Sequence, residues 1–224
     1  MQLSITLIIT VITCGVSLLA LQVPAVMEKL IFNPVYVSQG KQYYRFLTSG
    51  FVHADFMHLG FNMLSFYSFG QALENFILSD YCVFGTYGKL VYVVLYLSAI
   101  VASELPSYFK HIHNANYYSL GASGGVTAAI FVCVLFFPQI KLGLLFLPIP
   151  IPGYIFCILF LVISAYIEKQ YNTRVNHMAH IFGALYGVIF IIIASMLIGN
   201  INVFDNFIQQ VKMPLNQLRA FSCK

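Results

Sequence analysis

One serine stands among residues with almost no side-chain bulk, at the point where an apolar segment begins. The stretch reads LGASGGVTAAI over residues 120–130, with Gly121 and Ala122 before Ser123 and Gly124 after it. Such small neighbours allow another helix or a peptide to approach the hydroxyl closely. The glycines also free backbone N–H groups at the start of a helix, where unpaired donors form a natural anion site.

Two histidine motifs supply the other groups that this serine would need for chemistry. His180 is followed by Gly183 and Gly187 at i+3 and i+7, so a neighbouring helix can approach closely where the imidazole points. His58 and Asn62 lie at i and i+4, on one face of another helix, and both can donate hydrogen bonds. A hydroxyl, a base and donors for an oxyanion together indicate nucleophilic acyl transfer.

Each histidine motif taken alone has a simpler explanation. The His58 and Asn62 pair is typical of hydrogen bonding between membrane helices, and a lone buried histidine is more often structural than catalytic. No acidic residue lies near His180 in the sequence to orient its ring. A Ser–His dyad in this chain would therefore depend on packing to hold the imidazole.

The composition requires that these motifs lie in a membrane. The chain has 60% hydrophobic and 8% charged residues and a mean hydropathy of +0.84, whereas a soluble domain is about a quarter charged. The net charge of +4 is spread without a dense cluster, which favours contact with membrane lipid over any nucleic acid. The five cysteines have no paired spacing, so neither a disulfide framework nor a zinc site is predicted.

Apolar stretches long enough, or nearly so, to cross about 30 Å of hydrocarbon occur six times. We therefore predict an all-α polytopic membrane protein. Its transmembrane helices lie near residues 3–23, 56–76, 89–105, 121–138, 143–167 and 178–199. Residues 1–199 would form one six-span membrane domain, and residues 200–224 a short C-terminal tail.

Prolines and one long connection refine this arrangement. Pro106 predicts the end of the third span, and three prolines within residues 148–152 predict that the fifth helix begins only at Gly153. Residues 25–55 are rich in aromatic side chains and poor in charge, which indicates a segment lying in the membrane interface. Lysines and arginines are almost equally divided between the two sides, so charge does not determine the orientation.

With these motifs in this order, the chain resembles the rhomboid intramembrane serine proteases over nearly its whole length. GASG at 121–124 resembles the family motif G-x-S-G, AHIFGALYG at 179–187 resembles A-H-x-x-G-x-x-x-G, and HLGFN at 58–62 resembles H-x-x-x-N. YR at 44–45 is similar to the W-R pair of the first loop, and GQALE at 70–74 to G-x-x-x-E.

The resemblance implies a rhomboid-like bundle and a serine endopeptidase that cleaves transmembrane segments of membrane proteins. Ser123 would be the nucleophile and His180 the general base, while His58, Asn62 and the backbone N–H of Ser123 would hold the oxyanion. Residues with a structural role would be Gly121, Gly124, Gly183, Gly187, Arg45 and Glu74. The partners would be single-span or polytopic membrane protein substrates and membrane lipid, with no cofactor and no metal. The protein would be a multi-pass integral membrane protein, located in the cell (inner) membrane if the source is a bacterium.

One departure from the family pattern concerns the support of His180. Members often carry Tyr or Phe four residues after the nucleophile, where the ring packs against the catalytic histidine, and this chain has Thr127 there. Another side chain must therefore support the imidazole. Phe182 and Tyr186 are nearby in the sequence, but the sequence does not place them.

Two other functions stay open at this point. A proteolytically inactive relative would bind transmembrane clients through the same grooves, although the presence of both Ser123 and His180 argues against it. A metal or proton transporter would use the imidazoles of His53, His58, His177 and His180. Membrane-embedded carboxylates are scarce, with only Glu74 and Glu104 available, which weakens the transporter hypothesis. His53 is also similar to a family histidine at the foot of the first loop, which favours a structural role.

Overall fold

Long apolar helices make up most of the chain. The computed structural model describes residues 4–79, 83–144, 147–170, 175–199 and 201–213. The α-helices in these ranges are α1 Ile5–Gln22, α2 Pro24–Leu30, α3 Pro34–Ser38, α4 Arg45–Thr48, α5 Phe56–Ser79, α6 Gly88–His111, α7 Ser123–Phe136, α8 Gly153–Gln170, α9 His177–Ile198 and α10 Val203–Lys212. The strands β1 Lys141–Leu144 and β2 Leu147–Pro152 lie between α7 and α8.

Four of the described helices are long and apolar enough to cross a membrane. These are α1, α6 with the short turn before it, α8 and α9. Helix α7 has only 14 residues, and the 24-residue α5 carries the polar side chains of His58, Asn62, Gln71 and Glu74. The structure is therefore mostly helical. By length and composition, four of the described helices qualify as membrane spans, whereas the sequence predicts six.

The start of the fifth predicted span is wrong. In place of a helix, β1 and β2 form an antiparallel pair, in which Lys141 pairs with Pro152 and Leu142 with Ile151. Alternating prolines explain this difference, because proline removes the backbone donor that a helix needs and favours extended backbone. The predicted all-α class is therefore wrong for this two-stranded segment. Helix α8 begins at Gly153, as the prolines predict.

The predicted end of the third span at Pro106 is also wrong. Helix α6 continues through the proline to His111. A proline within a membrane helix is tolerated where neighbouring groups stabilise the freed turn. The turn that contains the proline is joined to the start of α9, because Ser107 Oγ accepts a hydrogen bond of 3.0 Å from Asn176 Nδ2.

Helix α7 lies at the centre of the molecule. Twelve of its 14 residues are buried. Helix α9 packs against it at backbone distance, because a Cβ on Gly183 would lie 2.3 Å from the carbonyl oxygen of Gly124, and a Cβ on Gly187 would lie 2.8 Å from Cα of Ala128. Only glycine at these two positions permits this spacing of the helices.

Part of the predicted tail packs back against this central helix. Gln210 of α10 donates a 3.0 Å hydrogen bond to the carbonyl of Phe136, the last residue of α7. Gln139 in turn donates to the carbonyls of Gln210 and Val211, at 3.4 and 3.3 Å. The rest of the tail, residues 200 and 214–224, lies outside the described residues.

The segment between α1 and α5 is held together by Arg45. Its side chain is 5% exposed and donates hydrogen bonds to the carbonyls of Glu28 and Ile31, at 2.7 and 2.6 Å. It also donates to Gln42 Oε1 at 2.6 Å, and its guanidinium lies 5.0 Å from the ring centre of Tyr36. Arg45 thus joins α2, α3 and α4 into one unit, and the location of this unit in the membrane interface stays a prediction.

Glu74 of α5 anchors the first turn of α1. Its carboxylate accepts hydrogen bonds from the backbone N–H groups of Ile5 and Thr6, at 2.7 and 2.8 Å. It also accepts from the hydroxyls of Ser4 and Thr6, at 2.7 and 2.6 Å. A carboxylate at a helix N-terminus is stabilising because the unpaired N–H groups there carry partial positive charge.

We expect Glu74→Ala to detach this end of α1. The change leaves buried donors without an acceptor, which should lower the free energy of unfolding by on the order of 3 kcal/mol. Thermal unfolding in detergent would measure the loss. Glu28→Ala, which removes an exposed carboxylate of α2, is the control and should leave the unfolding temperature unchanged. Equal stability of both variants would contradict the anchoring role.

Candidate active site

An open, polar cavity of about 1080 Å³ lies at the N-terminal ends of α7 and α9. Three of the residues singled out from the sequence line it, namely His58, Ser123 and His180. Asn62 is not among the lining residues. The cavity therefore brings together a hydroxyl and two imidazoles from three helices.

Ser123 is the first residue of α7 and is half-buried. The first amides of a helix have no partner within it, so the N–H of Ser123 is a potential donor to a ligand. Gly121, two residues earlier, has φ +115°, and a Cβ there would lie 2.8 Å from two ring atoms of His58. The backbone before the serine thus needs glycine both for its conformation and for its contact with His58.

His53 holds the backbone immediately before Ser123. The N–H of Ala122 donates to His53 Nε2 at 3.2 Å, and Ser17 Oγ lies 2.8 Å from His53 Nδ1. Ser17 uses its own proton to bond the carbonyl of Phe51 at 2.9 Å, so its oxygen must accept from Nδ1–H. His53 is therefore neutral and protonated on Nδ1. Burial, reinforced by His58 and opposed by Asp55, lowers its pKa to about 3.

His180 lies in the first turn of α9, with its ring between two aromatic neighbours. Phe160 of α8 is stacked on the imidazole, with ring centres 6.0 Å apart and planes inclined by 29°. His177 contacts it edge-on at 5.7 Å. The aromatic support that Thr127 lacks thus comes from α8. No sequence signal points to Phe160, because it is distant from His180 along the chain.

Thr127 has a different function from the aromatic residue that it replaces. Its hydroxyl lies within hydrogen-bond distance of the carbonyls of Ser123, Gly124 and His180, at 2.9, 3.1 and 3.2 Å. It therefore links the backbone of α7 to that of α9 one turn after the serine. In the described part of the chain, no hydrogen bond joins the Ser123 hydroxyl directly to the His180 ring.

His58 and Asn62 are placed differently from one another. The N–H of His58 donates to the Asp55 carboxylate at 2.7 Å, which caps α5, and the His58 ring lies 5.0 Å from that of His53. Asn62 is 8% exposed and donates at 3.0 Å to the carbonyl of His58. His58 thus faces the cavity, whereas the Asn62 amide is bonded within its own helix.

Comparison with known proteins places this geometry in a family. The family model described as the Rhomboid domain matches residues 40–197, which include Ser123, His180, His58 and Asn62. The chain belongs to the rhomboid family. It is accordingly a multi-pass integral membrane protein, in agreement with its apolar helices.

Relatives of this rhomboid come from bacteria and from mitochondria. The chain is 27% identical over 169 residues to rhomboid protease GlpG of Haemophilus influenzae, an alignment that covers 75% of this chain and 78% of that protein. It is 32% identical over 148 residues to the mitochondrial rhomboid protein 1 of Saccharomyces cerevisiae, covering 63% of this chain but 39% of that protein. Putative rhomboid protease YdcA of Bacillus subtilis is 25% identical over 144 residues, which is 63% of this chain and 62% of that protein.

The described part of this rhomboid contains no group of three or more His, Cys, Asp or Glu side chains placed to hold a metal ion. Both ring nitrogens of His53 are already hydrogen-bonded, so this residue is not available as a ligand. Among the described residues, the geometry therefore gives no support to metal binding by these histidines.

We expect His53 to make the stability of the protein depend on pH. Its pKa of about 3 in the folded protein is below the ordinary value of 6.5, so below pH 6.5 the unfolded chain takes up a proton that the folded protein does not. Stability should be full above pH 6.5 and should fall toward pH 3, with a slope approaching about 1.4 kcal/mol per pH unit.

The measurement is thermal unfolding between pH 5 and 8 for the wild type and His53→Gln. Glutamine can still accept from Ala122 and donate to Ser17, but it does not titrate, so the variant should lose this part of the slope. His113→Gln, at an exposed position, should keep it. An identical slope in His53→Gln and the wild type would show that His53 is not the group responsible.

Proposed function

We propose that this chain is an intramembrane serine endopeptidase that cleaves transmembrane segments of other membrane proteins through Ser123 and His180. The observation that supports this proposal is the shared cavity, because Ser123 and His180 begin two helices packed at backbone distance and line one polar space. Family membership and the similarity to proteins named as rhomboid proteases support it further.

We also propose that α5 and α7 cross the membrane, which makes six spans. Polar residues within spans are costly unless they face the protein interior or a water-filled cavity. Asn62 and Glu74 of α5 are buried and hydrogen-bonded, and α7 is almost wholly covered by other helices. Low hydropathy in α5 and the short length of α7 are therefore compatible with membrane crossing.

In the proposed mechanism, His180 accepts the proton of the Ser123 hydroxyl while the serine oxygen attacks the scissile carbonyl. The resulting oxyanion would be held by the backbone N–H of Ser123, the His58 ring and Asn62. The tetrahedral intermediate collapses to an acyl-enzyme as His180 donates its proton to the leaving amine, and water then hydrolyses the ester. To take part, the Asn62 amide must leave the His58 carbonyl and turn toward the cavity.

The substrate must present its carbonyl in an accessible form. A helical transmembrane segment has its carbonyls bonded internally, so it must unwind before Ser123 can attack. Substrates should therefore carry helix-breaking or small residues near the cut. The polar lining of the cavity would admit the water that the second step consumes.

One observation favours a second candidate function. Ser123 and His180 share the cavity without a direct hydrogen bond in the described structure, and a rhomboid without activity could use the same grooves to bind transmembrane clients. The two functions differ in one chemical property, the nucleophilicity of Ser123.

We expect Ser123→Ala to abolish both cleavage and covalent labelling. The purified protein would be reconstituted in lipid vesicles with a single-span substrate and, separately, treated with a fluorophosphonate that reacts with activated serines. Ser98→Ala is the matched control, because among the described residues the Ser98 hydroxyl bonds only to carbonyls of its own helix α6. Equal cleavage by the wild type and Ser123→Ala would refute the assignment. A wild type that neither cleaves nor becomes labelled would favour the client-binding function.

We expect Asn62→Ala to be folded but slow. Loss of one oxyanion donor should reduce the rate by on the order of 100- to 1000-fold, whereas loss of the bond to the His58 carbonyl should cost only about 1 kcal/mol of stability. Cleavage rate and unfolding temperature would be measured on the same preparation. Full activity in Asn62→Ala would mean that the amide stays on the His58 carbonyl throughout the reaction and leaves the oxyanion to His58 and the backbone.

A further inference from the structure

Glu104 is a carboxylate for which the proposed mechanism has no use. It lies in α6, is 4% exposed, and contributes to the lining of the cavity that holds Ser123 and His180. A buried carboxylate is costly and requires hydrogen-bond donors. The partners of Glu104 therefore indicate what it does.

The two carboxylate oxygens of Glu104 bond to two different segments. Ser119 Oγ donates to Oε1 at 2.8 Å, and Asn176 Nδ2 lies 3.4 Å from Oε2. Ser119 stands four residues before Ser123, and Asn176 stands four residues before His180. One side chain thus joins the segment that leads to the nucleophile and the segment that leads to the base.

Asn176 also caps the N-terminus of α9. Its Oδ1 accepts from the N–H of Ala179 at 3.0 Å, which makes it the N-cap of the helix that carries His180. Its Nδ2 group also lies 3.0 Å from both Ser107 Oγ and Ser119 Oγ, so its two hydrogens are shared among these hydroxyls and the more distant Glu104 Oε2. Asn176 therefore caps α9 through its side-chain oxygen and contacts Glu104 and the two serines through its side-chain nitrogen.

The position of Ser119 is fixed by backbone hydrogen bonds. Its backbone N–H and carbonyl pair with the carbonyl and N–H of Phe32, at 3.1 and 3.0 Å. Its position is therefore set by the segment between α1 and α5, and the hydroxyl is then available to Glu104. Bonds of this network therefore connect α6, the segment before α7 and the N-terminus of α9.

We propose that Glu104 is a positioning residue that fixes the separation of Ser123 and His180 by bonding Ser119 with one oxygen and Asn176 with the other. The inference rests on the proposed function. It also explains how a dyad without an acidic third member keeps its base in place, because the position of His180 follows from the position of the α9 N-terminus. A displacement of about 1 Å between reacting groups can reduce the rate by on the order of 100-fold.

The test separates this role from simple helix capping by exchanging donor and acceptor. Asn176→Asp keeps the cap, since Asp caps a helix about as well as Asn, but it replaces the Nδ2 donor by a carboxylate oxygen facing Glu104. Glu104→Gln keeps one acceptor oxygen but replaces the other by an NH2 donor, which then faces the donor of Ser119 or of Asn176. The double variant Glu104→Gln with Asn176→Asp restores an amide–carboxylate pair in the reverse direction, at unchanged net charge.

We expect both single variants to lower kcat by roughly 10- to 100-fold with little change in KM, because the substrate still binds while the reacting groups are misplaced. The double variant should recover most of the wild-type kcat. A general loss of folding would also lower the rate, so the exchange of a control segment, described below, is needed to distinguish positioning from unfolding.

A second readout does not depend on activity. Hydrogen–deuterium exchange in lipid nanodiscs would follow residues 117–124 and 175–182, with the α10 residues 203–212 as an internal control. Exchange in the first two segments should be faster in each single variant and should return to the wild-type rate in the double variant. The control segment should not change.

The results decide the two proposals independently. Glu104 is not a positioning residue if Asn176→Asp keeps the wild-type kcat and exchange rates, or if the double variant is no better than the single ones. If the wild type neither cleaves substrate nor reacts with a fluorophosphonate, the proposed function fails. The exchange rates then still determine whether Glu104 holds the two segments, and unchanged rates in both single variants would overturn that role.

Discussion

The approach of α9 to α7 at backbone distance is the constraint on which the rest of the structure depends. Two glycines on α9 make it possible, because any side chain at Gly183 would meet the Gly124 carbonyl. Helices this close gain van der Waals contact and leave no room for lipid or water between them. The first turns of both helices then emerge side by side, which places the Ser123 hydroxyl and the His180 imidazole in one cavity.

Other elements of the structure hold the first turns of α7 and α9 in place. The backbone before Ser123 is bonded to His53 and to the carbonyl of Ser49, both in the segment that Arg45 joins together. The cap of α9 is bonded to α6 through Ser107. The geometry of the cavity is thus the result of several weak contacts from different elements. A change far from the serine can therefore reach the site.

The sequence predicted those features that have a local cause. Helices α1, α5, α7 and α9 lie within three residues of the predicted spans, because an unbroken apolar run is a local property, and Gly153 was recognised from its prolines. Contacts between residues that are far apart in the sequence have no such local signal. Phe160 beside His180 could not be predicted, and Glu104 was considered only as a candidate transport carboxylate. The helix beyond Pro106 and the bond of Asn62 to its own helix also required the structure.

The 14 residues of α7 have a consequence for where any reaction can take place. At 1.5 Å per residue the helix is about 21 Å long, which is roughly 9 Å less than the hydrocarbon core. A short helix in contact with lipid would thin the bilayer around it, but α7 is surrounded by protein and need not match the bilayer. Its N-terminus can therefore end below the membrane surface. In the proposed reaction, the depth of Ser123 in the bilayer would then restrict cleavage to bonds at a matching distance from the lipid headgroups, in addition to any selection by neighbouring side chains.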